Sequence, residues 1–264
     1  MENTAYVAQE QDTRAISSLF QRFGADVVAA AASSFAVSPF ITIVDRAIAE
    51  NASGARTLSH AVKDLSMNFL RHPIKFCKSR EFAWIFGLYT ATYATANTIE
   101  TAYEWKEQDG AMTKLAATTV VNMSTVVAKD LAFARMFGVV KPRPFPLATI
   151  GLFAIRDGLT VVSCFQLPGV ISEKFRAYGV DERTTAVVAQ IGAPVAVQIL
   201  STPLHLLGLD LYNHPKADLK ARMQFIQREN FRSSVARVAR VGPAFGLGGI
   251  GNTSIRNRLR AMME

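Results

Sequence analysis

Arg156 and Asp157 stand side by side in Pro144 to Ser172, a stretch that is otherwise uncharged. Ionisable groups in such surroundings pair with each other or line a cavity, because a lone charge in an apolar medium is costly. Facing a cavity, this pair suits contact with an anionic or amino-acid-like solute. The amides of Asn97 and Asn252 fall in or just beyond two other apolar segments, where they either face a cavity or join helices. Three acids, Asp45, Asp130 and Asp210, each close an uncharged segment, with Arg46 and Lys129 beside the first two. Their recurrence points to a shared structural salt bridge or, in a transporter, to a gate. Pro39 and Pro203 lie inside two of these segments and are expected to kink them. His205, near the second kink, reads as a hydrogen-bonded core histidine sooner than a ligand.

Enzymatic motifs are absent: the sequence has no phosphate loop, no dinucleotide glycine fingerprint, no nucleophile elbow and no metalloprotease helix. Four His and two Cys, Cys77 and Cys164, lack metal-ligand or disulfide-framework spacing. Neither an enzyme, a cofactor nor a metal site is expected.

The elements that must carry these residues repeat. Val27 to Val44, Leu115 to Ala128 and Thr184 to Leu209 are uncharged and run into Asp45, Asp130 and Asp210. A basic stretch follows each, and then a second apolar segment containing Gly-Leu: Phe82 to Ile99, Pro144 to Ser172 and Val241 to Ile255. Repeated units bury their apolar faces on their neighbours. The expectation is an all-α protein of six transmembrane helices in three pairs: a polar tail 1–24, with a short helix near Ile16 to Phe23, then repeats over 25–110, 111–183 and 184–264, the second with a shortened loop.

Composition and charge placement favour lipid. Only 19% of residues are charged and 50% are hydrophobic, where soluble domains carry about a quarter charged. Thr184 to Leu209 has no Asp, Glu, Lys or Arg and exceeds the roughly 20 residues that cross a bilayer core. Loops 45–81, 129–143 and 210–240 hold 18 Lys/Arg and 8 Asp/Glu, whereas 100–114 and 173–183 hold 5 and 7. Such sorting by loop parity is an orientation signal and places one basic face against anionic lipid head groups. No aromatic-interleaved basic patch accompanies it, so nucleic acid is not an expected partner. The first 24 residues mix Glu2, Glu10 and Asp12 with Arg14 and Arg22, unlike a cleaved presequence.

The three-fold pairing, the Ser38-Pro39-Phe40 and Thr202-Pro203-Leu204 kinks, the Asp closing each odd helix and the Arg156-Asp157 pair together resemble the mitochondrial carrier superfamily. The resemblance implies a solute carrier in the mitochondrial inner membrane, with a cavity contacted by Arg156, Asp157, Asn97 and Asn252. The gate would be formed by Asp45, Arg46, Lys129, Asp130 and Asp210. That family carries an acid two residues after each kink proline; here the positions hold Ile41 and His205. A carrier-derived structural or docking subunit with membrane protein partners, in the inner or the outer membrane, is therefore a second reading. A soluble helical protein with a basic face is a third.

Overall fold

The computed structural model describes residues 2–141, 143–165, 173–175, 178 and 181–263, and regular structure among them is helical throughout. The end of the fourth apolar segment, 166–172, and the side chain of Cys164 lie outside the described residues. Helix α1 spans Glu2–Ala52, so the N-terminal residues are helical and continuous with the first apolar segment. It ends at Gly54, whose φ of 77° supplies the left-handed conformation that closes a helix C-terminus. Next come α2 (Leu58–Arg71) and α3 (Pro73–Cys77). The break between them follows from His72: preceding a proline, it is driven out of helical geometry, to φ −136°, and Pro73 then opens the next helix. Then follow α4 (Arg80–Trp105), α5 (Ala111–Phe137), α6 (Leu147–Phe165), α7 (Glu182–Asn213) and α8 (Leu219–Ala239). A helical turn at Val241–Pro243 and a π-helical stretch, Ala244–Ile250, lead into α9 (Gly251–Ala261).

The prolines sit within continuous helices, Pro39 in α1 and Pro203 in α7. In both, the residue before the proline bonds back to the carbonyl four residues earlier: Ser38 Oγ donates to Ser34 O and Thr202 Oγ1 to Gln198 O, each at 2.5 Å. Back-bonding of this kind and a helix-interior proline each favour bending.

Among the described residues two helices are long and apolar enough to cross a bilayer, α1 over Ile16–Ala52 and α7 over Val195–Asn213. Outward faces carry large apolar side chains: Phe20, Val28 and Phe35 on α1, Ile199 and Leu200 on α7, Phe231 and Val235 on α8. Helix α8 buries a mostly polar face, Arg222, Ile226, Glu229, Ser233, Ser234 and Arg237, while its outward face mixes Phe231 and Val235 with Lys220, Gln224, Gln227, Arg228 and Arg232.

The chain forms two compact units, each drawn from separated stretches. The first comprises Met1–Ser38, Phe86–Asn122 and Phe245–Glu264. Small residues of α1, Ala25, Ala29 and Ala30, are buried in it, allowing close helix approach. Gly248 is required there: a Cβ would lie 2.2 Å from Tyr93 Oη. The second comprises Pro39–Ile85 and Met123–Ala244, around Ile41, Ile48, Phe133, Phe153, Leu206 and Tyr212. Gly208 of α7 lets the Phe153 ring approach its backbone, where a Cβ would lie 2.6 Å from the ring.

Candidate functional site

Each unit buries a network of charge. In the second unit the network begins at Asp45, six residues beyond Pro39 on α1. One carboxylate oxygen accepts from Lys129 Nζ of α5 at 2.7 Å and the other from Arg240 Nη1 at 2.5 Å. Lys129 also contacts Asp130 Oδ1, and Asp130 Oδ2 accepts from Arg156 Nη1 of α6 at 2.5 Å. Arg156 then clasps Asp157 with a fork, Nε to Oδ1 and Nη2 to Oδ2, both at 2.8 Å. Arg156 Nη1 also lies 2.6 Å from His205 Nδ1 of α7. An arginine is always a donor, so that nitrogen must be the acceptor and the imidazole neutral. Asp45, Lys129, Asp130, Arg156, Asp157 and His205 are all below one tenth exposed. The Phe153 ring lies 5.1 Å from the Arg156 guanidinium and 5.4 Å from the His205 ring, giving the fork an aromatic floor.

These contacts form an alternating series across three apolar helices: acid, base, acid, base, acid. Alternation is what makes burial tolerable, because each charge removed from water finds an opposite charge and a hydrogen bond. The series is also convertible. Arg156 makes three hydrogen bonds to two carboxylates, Asp130 and Asp157, so one carboxylate can be exchanged for another anion without stripping the guanidinium bare.

The other expected gate residues lie elsewhere in this unit. Arg46 pairs with Glu50 at 2.8 Å and with Glu81, and stacks on Phe137. Asp210 accepts from Arg222 Nη1 at 2.5 Å and from His214 Nδ1 at 2.9 Å, tying the end of α7 to α8.

Asn97 and Asn252 belong to the first unit, where they exchange reciprocal side-chain hydrogen bonds of 2.9 Å. Asn97 also donates to the Asp26 carbonyl at 3.1 Å. Beside them Asp26, fully buried, accepts from Arg256 Nε at 2.7 Å and from the Thr101 hydroxyl. Arg256 reaches Glu100 at 3.0 Å, and Arg260 reaches Glu104 at 2.7 Å. The Asp26 carboxylate had no place among the expected site residues, though it immediately precedes the uncharged run. Arg237 and Arg240 were read as part of a basic loop.

A family model described as "Probable citrulline exporter" matches residues 29–260, and the chain belongs to that family. No curated protein and no solved structure matches it. The family match corrects the likeness to mitochondrial carriers and removes the ground for a mitochondrial inner-membrane address. The misleading features were general ones: proline bends after Ser or Thr, small residues at helix contacts and acids at helix ends meet needs common to many helical membrane proteins.

Proposed function

We propose, with membership of that family as the premise, that this chain is a membrane exporter of citrulline or a closely similar zwitterionic amino acid. The observation that carries the reading is the buried Arg156–Asp157 fork within the series Asp45–Lys129–Asp130–Arg156–Asp157. A zwitterionic head group carries one negative and one positive charge. It can enter an opened Arg156–Asp157 pair with its carboxylate on the guanidinium and its ammonium on the acid, leaving the buried charge unchanged. A uniformly charged solute could not do so at the same electrostatic cost. The rest of the series serves as the gate: alternating access requires pairs that break on one side and re-form on the other.

The test is efflux of labelled citrulline from liposomes containing the purified protein. Saturable efflux that other zwitterionic amino acids inhibit, reduced about tenfold or more by Arg156→Ala, is the expected result, tenfold corresponding to about 1.4 kcal/mol of lost contact. Undiminished efflux through correctly folded Arg156→Ala protein would remove the assigned site, and absence of any amino-acid flux through wild-type protein would remove the substrate class.

A further inference from the structure

Helix α8 buries three charged side chains, and two have ionic partners. Arg222 pairs with Asp210 at 2.5 Å. Glu229 accepts from Asn51 at 2.9 Å and from Arg228 at 2.8 Å. Arg237 is 3% exposed and has only neutral hydrogen-bond partners: Nε donates to Gln198 Oε1 at 3.0 Å and Nη2 to Ser201 Oγ at 3.4 Å. No carboxylate among the described residues lies within ion-pair distance of it. One turn earlier on the same face, the buried hydroxyl of Ser233 has no hydrogen-bond partner.

The charge balance of this unit sharpens the point. In the network, Asp45, Asp130 and Asp157 are directly paired with Lys129, Arg156 and the part-exposed Arg240, whereas Arg237 makes no direct ion pair among the described residues. A buried guanidinium without a counter-charge is expensive to maintain, and where function requires no anion an apolar or neutral side chain would serve the fold better. Its fork matches the two oxygens of a carboxylate, and one negative charge suffices to balance it.

We propose that Arg237, Gln198, Ser201 and Ser233 form a carboxylate-binding subsite that no carboxylate among the described residues fills. The subsite deepens the exporter reading and rests on it, since an amino-acid solute supplies such a group. The carboxylate comes either from the solute, making Arg237 its anchor before or after Arg156, or from a separate monocarboxylate moving with or against it.

Thermal unfolding of the purified full chain in detergent, with acetate compared against acetamide, tests the subsite independently of transport. The expected result is that acetate raises the wild-type Tm, acetamide does not, and Arg237→Gln abolishes the difference. Without ligand, Arg237→Gln is expected to equal or exceed the wild-type Tm, because it removes an uncompensated buried charge; a structural arginine would lower it. Arg237→Lys, which keeps the charge and loses the fork, should keep a weakened acetate response. Equal responses to acetate and acetamide, or an acetate response that survives in Arg237→Gln, would overturn the proposal. So would an unliganded Tm that falls in both variants.

Liposome flux identifies the source. An anchor for the solute predicts that Arg237→Gln raises the citrulline KM about tenfold or more with a smaller change in kcat, and that added acetate competes. A separate anion predicts that acetate accelerates citrulline flux through the wild type and not through Arg237→Gln. An Arg237-dependent acetate response in a protein that moves no citrulline would leave the subsite standing and defeat the exporter reading. Citrulline flux that is indifferent to Arg237, with no acetate response, would do the reverse.

Discussion

The two buried networks use the same side chains to different ends. In the first unit one buried acid, Asp26, gathers two arginines from the short helix α9, and the surplus charge is led outward to Glu100 and Glu104, which are 38% and 41% exposed. Its charges balance, Asp26, Glu100 and Glu104 against Arg256, Arg260 and Lys114, and its donors, the buried Arg260 Nε excepted, are committed to helix-to-helix bonds. That is how a clamp is built. In the second unit the carboxylates Asp45, Asp130 and Asp157 are all buried, Lys129 and Arg156 each contact two of them, and Arg237 makes no direct ion pair among the described residues. An incompletely balanced network has a use for a ligand; a balanced one does not. Charge balance, more than the number of buried charges, separates a fastening from a site.

The comparison breaks most readily at Asp26. Asp26→Ala leaves Arg256 and Arg260 sharing a buried space without their common acceptor, and a loss of about 3–5 kcal/mol is expected, as for buried pairs broken from one side. Read as Tm in detergent, the loss should accompany a fall in folded yield, while flux per folded molecule stays near wild type. A variant of normal stability and abolished flux would put the transport site in the first unit.

Tight glycine contacts give a smaller effect and a sharper contrast. Gly208→Ala drives a methyl into the Phe153 ring, and Gly248→Ala drives one into the Tyr93 hydroxyl. Each overpacking is expected to cost about 1–3 kcal/mol. Phe153 underlies Arg156 and His205, so the first substitution should also slow flux beyond its effect on folding. The second should be relieved by Tyr93→Phe, which removes the colliding atom, and should leave flux per folded molecule alone. Equal effects on flux would erase the distinction between the units.

How much of this the sequence discloses depends on the range of the interaction. Helical segments were legible because uncharged runs act locally. Lys129-Asp130 and Arg156-Asp157 could be singled out because each is adjacent in sequence and set against an apolar background. The partners could not: Asp45 pairs with Arg240, 195 residues away, instead of the neighbouring Arg46, because along the helix Arg46 faces Glu50 one turn on. Helix α8 was hidden for another reason. Counting charge by loop treats 210–240 as one basic stretch, whereas Arg222, Glu229, Ser233 and Arg237 recur at helical spacing and place polar groups on the buried face. A soluble helix would show the opposite pattern, so the signal lay in the polar periodicity.

The mildest probe is acid, applied to the exposed rim of the first unit. Glu100 loses some solvation on folding, which alone would raise its pKa. The hydrogen bond and charge of Lys114, with the charges of Arg256 and Arg260, outweigh that and hold it below its usual 4.5. A carboxyl whose folded pKa is depressed contributes stability that is full above the unfolded pKa and is lost as pH falls through the folded one. The contribution is therefore present at neutral pH and fades below about pH 4.5. With the side chain 38% exposed and its charges screened, it amounts to a few tenths to about 1 kcal/mol. Glu100→Gln should flatten the acid limb of the Tm–pH curve by that small amount and leave the neutral-pH flux of citrulline unchanged. If Glu100→Gln instead shifted the pH dependence of flux, the first unit's rim would belong to the transport path and its description as a clamp would fail.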